Sequence, residues 1–466
     1  MRNCRTTKNS YTTFARYRRV KRDQPSSFDS DKTIYDRPAE LLQNLIRFDT
    51  TNPPGNEAQC IQYIQSLLSD AGFETTILSK DPERPNLIAR LEGKGEASPL
   101  LLFGHVDVVT TAHQKWTHPP FEGVIEDGCV WGRGALDMKG GVAMMLSAFI
   151  RAKVNHLKPA GEVILAILCD EEGFGDYGAG FLVQNHADQF QGVKYAISEF
   201  GGFSTFVGKK RFYPIMISEK QICHLRARVH GPGGHGMMPM HGGAMTKLSN
   251  LLQGIDEHKL PVHVTTTVRQ MIEQLASTIG FPSGFILRQI LKPPLTDTLL
   301  RLLGETGHSI EPMLHNTVNA TIVHGGHKIN VIPSEITVEI DGRVLPGFDP
   351  QDLISELRPI VGDETELEVV RFDQGPSDPN MGMFNLLAEV LRNKDPEGQP
   401  LPYLMTGITD ARYFSRLGIQ TYGFLPMNLP KDFNLIKMAH AENERIPVEA
   451  LPFGAEAIYD VLQSFG

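Results

Sequence analysis

The 466-residue chain is poor in cysteine, in long apolar runs and, over most of its length, in positive charge. Its five cysteines, Cys4, Cys60, Cys129, Cys169 and Cys223, are odd in number, scattered and never spaced C-x-x-C. That pattern excludes a disulfide framework and a cysteine zinc ribbon, and it favours a reducing compartment. The longest apolar stretches, such as Val163 to Cys169, fall far short of the roughly 20 residues that span a bilayer. Lys and Arg number 45 against 54 Asp and Glu, a net charge of −9. Residues 1–23 are basic at +7, which leaves the other 443 at −16. An acidic body has no electrostatic reason to bind nucleic acid. The basic opening has no apolar core of a secretory signal. Residues 1–35 are therefore expected to be a basic disordered tail, with targeting or an acidic partner as the alternative. A soluble, cytoplasmic protein with a small-molecule substrate and no membrane or nucleic-acid partner is expected.

What is present is an ordinary globular composition, 41% hydrophobic and 21% charged. Apolar residues recur at helical spacing at Leu41, Leu42, Leu45 and Ile46, and again at Ile61, Ile64, Leu67 and Leu68. Short β-rich runs follow at 75–78, 86–91 and 100–106, then a helix over about 138–152 and the wholly apolar run 163–169. Strands alternating with helices imply an α/β domain whose sheet is covered on both faces. Near residue 208 the pattern changes. Residues 221–230 and 335–344 alternate apolar and polar positions, as half-exposed antiparallel strands do. The spacing thus predicts a catalytic-type α/β domain over 36–209 and 381–466, interrupted by a smaller α+β domain over 210–380. Inside the insertion, 255–312 is long, apolar and helical.

Four islands of acidic and imidazole side chains stand at or after predicted strand ends. In "LLFGHVDVV", His105 and Asp107 are two apart, so on a strand they share a face. One can bind a metal while the other orients the imidazole. In "GRGALDMKGG", Asp137 sits in a glycine-dense turn that opens a helix, either as a carboxylate in a crowded site or as a helix cap. "CDEEG" follows the apolar strand, where α/β sheets bind ligands. "SEFGG" repeats that design with Glu199, and His440 lies in the polar segment before the last helix. Two histidines with Asp137, Glu171, Glu172 and Glu199, without cysteine, suit a hydrolytic zinc, cobalt or manganese site. Spacing alone leaves open which of Glu171 and Glu172 is a ligand.

In order, "GHVDVV", "GRGALDMKGG", "DEEG", "SEFGG", "NVIP", "DGRVLPG", "TGITDARYF" and "AHAENE" span nearly the whole chain. This series resembles the di-zinc family of aminoacylase, acetylornithine deacetylase, succinyl-diaminopimelate desuccinylase and glutamate carboxypeptidase. The resemblance implies a zinc-hydrolase domain with a mixed sheet, interrupted by a ferredoxin-like lid that dimerises. It implies two divalent ions, zinc first, bridged by Asp137, with His105 and Glu199 on one and Glu172 and His440 on the other. Glu171 would be the general base, Asp107 would orient His105, and a cis peptide would follow Asp137. In "HGPGGHGMMPMHGGAM", His235 matches the histidine that reaches a neighbouring subunit's site to stabilise an oxyanion, while Gly243 replaces a common asparagine. Arg343, Asn330 and Gly423 match positions that hold a substrate carboxylate; otherwise Arg343 would simply pair with Asp341. The reaction implied is hydrolysis of an amide next to a free carboxylate, in N-acyl amino acids or short peptides. A biosynthetic deacetylase or desuccinylase and a non-catalytic binding module are the alternatives. The 255–312 stretch resembles a longer lid, which suits a bulky apolar acyl group or else packs the lid or a dimer interface.

Overall fold

The computed structural model describes residues 33–466 apart from Ser377. The expected basic tail thus lies almost wholly outside the described residues. Its last members, Ile34 and Tyr35, already pack against the core.

The first part of the chain comprises α1 (Pro38–Ile46), α2 (Ala58–Asp70), β1 (Thr75–Ser79), β2 (Pro85–Leu91), β3 (Leu100–His105), α3 (Lys139–Val154), β4 (Val163–Leu168), β5 (Tyr195–Ser198), β6 (Thr205–Val207) and β7 (Lys210–Glu219). Next come β8 (Gln221–His230), α4 (Ala244–Glu257), α5 (Thr266–Ile279), α6 (Ser283–Gln289), α7 (Pro293–Leu302), α8 (Glu305–Ile310), β9 (Thr317–Gly325), β10 (Glu335–Val344), α9 (Pro350–Val361) and β11 (Glu366–Asp373). The chain closes with α10 (Phe384–Lys394), β12 (Gln399–Met405), β13 (Gln420–Gly423) and α11 (Ala450–Ser464). No described helix is long and apolar enough to cross a membrane.

A nine-stranded mixed sheet runs in the order β1-β2-β4-β3-β5-β13-β7-β12, with β6 beside β7. Its centre, β4-β3-β5-β13, is parallel throughout. Every residue of β3 and β4 is buried, as strands covered on both faces must be. Pro400 and Pro402 cannot donate to a ladder, and they sit on β12 at the sheet's edge. Helix α3 is apolar on all sides and buried along almost its whole length, against α1 and α11. At Gly454 of α11 a Cβ would come within 2.3 Å of Met144 Sδ, so glycine lets the two helices meet.

A second sheet, β9-β10-β8-β11, is antiparallel. With the helices α5 to α8 inserted between α4 and β9, the order β8-α4-β9-β10-α9-β11 is the βαββαβ arrangement of a ferredoxin-like unit. Alternation along β8 and β10 points Leu225, Ala227, Val229, Ile336, Val338 and Ile340 into a core shared with α4 and α9. Asp349 and Asp352 form a reciprocal capping box that starts α9.

Two segments fall elsewhere than their sequence position suggests. Residues 210–219, expected to head the inserted domain, pair into the large sheet as β7. Residues 266–310, expected within that domain, pack instead on β7 and β12, burying Val268, Ile272 and Leu300 with Phe212 and Leu404. Apolar helical periodicity reports that one side is buried, not against which sheet.

Candidate metal centre

The centre grows from the parallel strands. His105 ends β3, Glu171 and Glu172 follow β4 in a short turn, and Glu199 follows β5. All three strands run the same way, so their carboxyl ends deliver these side chains to one edge of the sheet. Asp137 arrives from the turn before α3, and its peptide to Met138 is cis, as the resemblance implies. Asp137 is not the cap of that helix; Met138 holds that position. His440, at φ +63°, comes in from the segment before α11.

Donor atoms of His105, Asp137 and Glu199 lie within 4.8 Å of one another, and so do those of Asp137, Glu172 and His440. His105 Nε2 is 3.2 Å from Asp137 Oδ1 and 3.5 Å from Glu199 Oε2. His440 Nε2 is 3.0 Å from Asp137 Oδ2 and 3.1 Å from Glu172 Oε1. The two oxygens of Asp137 therefore face two different histidine–carboxylate sets, the disposition a bridging carboxylate needs. Glu199 Oε2 is buried without a hydrogen-bond donor among the described residues. Nitrogen and oxygen donors without a thiolate, with Glu199 and Glu172 each within reach of Asp137, fit two divalent cations chemically.

Asp107 does more than orient His105. The His105 ring Nδ1 lies 3.0 Å from the Asp107 carbonyl and 3.4 Å from its carboxylate. The same carboxylate accepts the backbone N–H groups of Glu171 and Glu172 at 3.1 and 3.0 Å and the Asn52 amide at 2.9 Å. One buried acid thus fixes both the imidazole and the turn bearing the two glutamates. Burial, reinforced by the Glu199 charge, lifts Glu171 well above the ordinary carboxylate range. Burial raises Glu199 to about 8 despite its contact with His105. Burial also works to raise Asp137, but hydrogen bonds from His105 and His440 outweigh it and hold that carboxyl low. His440 is raised to about 10, chiefly by those bonds to Asp137 and Glu172. Neighbouring acids driven in opposite directions are what divides proton carriers from permanent anions.

Gly423 ends β13 beside this cluster; a Cβ there would come within 2.3 Å of the Glu199 carbonyl. The other residues named from sequence are not brought in. His235 is exposed on a two-stranded ribbon, 234–235 against 331–332, and Asn330 is exposed in the turn just before it. Neither hydrogen-bonds to the cluster among the described residues. Arg343 lies on β10 with its guanidinium forked onto Asp341 at 2.8 and 3.1 Å. Gly243 caps α4 with no side chain to offer.

Sequence reasoning missed the residues that hold the candidate ligands in place. Glu444 is fully buried and accepts the N–H groups of Leu136 and Asp137 at 2.7 and 3.2 Å. Arg133, also fully buried, donates to Glu444 at 2.6 Å and to the His440 carbonyl at 3.1 Å. A single ion pair thereby sets Asp137 and His440 against each other. Asp170 is gripped by Arg84 and Asn52 beneath the glutamate turn. Asp410 is buried with both carboxylate oxygens lacking donors among the described residues, and burial lifts it to about 7. Glu444 and Asp170 stand inside "AHAENE" and "CDEEG", a signal present but not separable from ligands by spacing alone.

Paired histidine–carboxylate sets at the carboxyl edge of a mixed α/β sheet, with an independent buried glutamate beside them, define a metal-dependent hydrolase. The profile described as Peptidase family M20/M25/M40 matches residues 101–464, and the chain belongs to that family. It is 30% identical over 461 residues to "N-fatty-acyl-amino acid synthase/hydrolase PM20D1" of Homo sapiens, covering 94% of this chain and 89% of that protein. It is 27% identical over 452 residues to "Probable carboxypeptidase S-like 2" of Dictyostelium discoideum, covering 91% and 84%. The solved M20 family metallo-carboxypeptidase Sso-CP2 from Sulfolobus solfataricus superposes with a TM-score of 0.65 at 15% identity, covering 91% of this chain and 98% of that one. That last likeness is one of fold.

Proposed function

We propose that this enzyme hydrolyses the amide of N-acyl amino acids with apolar acyl groups, using two divalent ions, zinc first among them. The observation that carries the reading is Asp137, whose two oxygens face His105 and His440 separately. His105, Asp137 and Glu199 would hold one ion, and Asp137, Glu172 and His440 the other. Bound divalent ions supply Lewis acidity, which acidifies water and polarises a carbonyl oxygen. Glu171 takes a proton from the attacking water on one carboxylate oxygen and returns it to the leaving amine nitrogen. Its raised affinity for a proton suits it to both steps. Asp107 keeps the His105 ring and the Glu171 backbone in register.

Phe203, Leu425, Met427 and Leu435 are buried core side chains behind Asp137 and Glu199. Support for an apolar acyl group comes from similarity to a protein named for N-fatty-acyl-amino acids. In our reading the domain expected over 210–380, without the strand 210–219 and the helices 266–310 that join the large sheet, acts as a lid that pairs in a homodimer, so that the exposed His235 serves a partner's site as oxyanion donor. Arg343, Asn330 and Gly423 then bind the substrate carboxylate, Arg343 by exchanging Asp341 for the ligand. Free cysteines at 60, 129, 169 and 223 suit a reducing compartment, and we place the enzyme in the cytoplasm.

The test is mass-spectrometric hydrolysis of N-acetyl, N-octanoyl and N-oleoyl phenylalanine, acetylornithine, succinyl-diaminopimelate and dipeptides, with Glu171→Gln alongside. Expected is release of phenylalanine fastest from the longer acyl chains. Glu171→Gln should be roughly 10²–10⁴-fold slower with its metal retained. Preference for acetylornithine or the succinyl compound would replace this reading with a biosynthetic deacylase. Turnover of Glu171→Gln near wild type would remove the base assignment.

A further inference from the structure

Helix α5 packs on β7 and β12 of the large sheet, α6 packs on α5, and α7 and α8 follow on it, leaving another side bare. Gly284 sets α6 directly on α5, where a Cβ would come within 2.1 Å of the Ala276 carbonyl. Leu287, Ile290, Thr296 and Leu300 then point inward. This seating turns Phe281, Phe285, Leu295 and Leu302 outward, with relative exposures of 89, 59, 44 and 78%. Leu295 and Leu302 are seven residues apart, two turns of α7, and therefore share a face. At such exposure Phe281 and Leu302 are projections rather than the lining of a groove.

The charge on the same stretch is opposite in sign to that of the body. Arg288, Lys292 and Arg301 are exposed and make no ion pair among the described residues. Between 281 and 304 the only acid is Asp297, and it is occupied by Lys259 and His315. A protein partner would need a matching cavity for each projecting ring. A bilayer accepts apolar projections of any outline and supplies phosphates at the level where the cations end.

We propose that the α6–α7 face docks on an anionic lipid bilayer. Phe281, Phe285, Leu295 and Leu302 enter the head-group boundary, and Arg288, Lys292 and Arg301 meet lipid phosphates. Absence of a spanning segment does not bear on this, because interfacial helices lie on the membrane rather than through it. The docking is independent of the hydrolytic reading.

Flotation of the full chain with phosphatidylglycerol–phosphatidylcholine vesicles, and with pure phosphatidylcholine, tests it. The expected result is binding to the anionic vesicles alone. That binding should weaken roughly tenfold or more in Phe281→Ser/Phe285→Ser/Leu302→Ser, and likewise in Arg288→Glu/Lys292→Glu/Arg301→Glu. All the substituted side chains are exposed, so Tm and turnover of a soluble substrate should match wild type. Three results would overturn the proposal. One is no binding to anionic vesicles. Another is binding unchanged by both variants but lost in Arg18→Glu/Arg19→Glu/Lys21→Glu/Arg22→Glu. The third is a change of oligomeric state in the apolar variant without vesicle binding, which would assign the face to a second copy of the chain.

Discussion

Removing Glu444 tests whether the ligand set is held by the ion pair behind it. In Glu444→Ala, Arg133 is left fully buried without its carboxylate, and breaking such a pair costs about 3–5 kcal/mol. The N–H groups of Leu136 and Asp137 also lose their acceptor, about 1–3 kcal/mol each when buried. These costs overlap, because water entering the gap relieves part of them, so a total of about 4–6 kcal/mol is expected. That is a large share of a typical domain's stability, and the variant should be scarcely folded at 37 °C. Glu444→Gln is the informative change. Its amide oxygen still accepts from Leu136 and Asp137, while the Arg133 charge goes unneutralised. We expect about 2–3 kcal/mol lost by urea unfolding. Because the strand of contacts reaches Asp137 and His440, metal affinity should also fall roughly 10–100-fold in chelator competition. Wild-type stability and wild-type metal affinity together in Glu444→Gln would refute the argument that this pair positions the site.

Two further outcomes follow from buried charge. Glu219, raised to about 7 mainly by burial, binds its proton more tightly folded than unfolded. Its burial costs nothing below about pH 4.5, reduces stability as pH rises towards 7, and levels off above that. Relative to Glu219→Gln, wild type should lose up to roughly 3 kcal/mol between those limits in urea titrations; parallel pH profiles would contradict it. Stripping metal with a chelator should abolish turnover and lower Tm by several degrees, because carboxylates packed around His105 and His440 lose the charge that balances them. Restoration by zinc, cobalt or manganese would rank the ions, and an unchanged Tm in chelator would argue against a structural load on the site.

Local patterns carry far into this molecule, and their limits have a physical cause. Alternation in 221–230 and 335–344 correctly marks antiparallel strands with one face buried, because period-two burial is a property of the strand itself. The wholly apolar run at 163–168 marks a central strand for the same reason. His105, Asp137, Glu172 and Glu199 are legible as candidate donors because each stands at a strand end or glycine-rich turn, where α/β sheets expose functional groups, and His440 because its polar segment ends one of the ordered motifs. Periodicity could not say that 266–310 leaves the small sheet for the large one, since an apolar stripe packs equally well on either. Nor could it separate Glu444 from the ligands. Its role depends on Arg133, which lies 311 residues away in sequence and 2.6 Å away in space.

By itself, then, the amino-acid sequence marked the candidate donors, the central strands and the family the chain resembles. Those are properties of short segments and their order. The tertiary structure alone decided that Asp137 presents one oxygen to each histidine, that Asp107 holds both the imidazole and the glutamate turn, and that Arg343 rests on Asp341. It also decided that Phe281, just ahead of α6, and Phe285, Leu295 and Leu302 on α6 and α7 face outward. Each of these depends on distances between segments far apart in the chain, which close packing sets and no local pattern encodes.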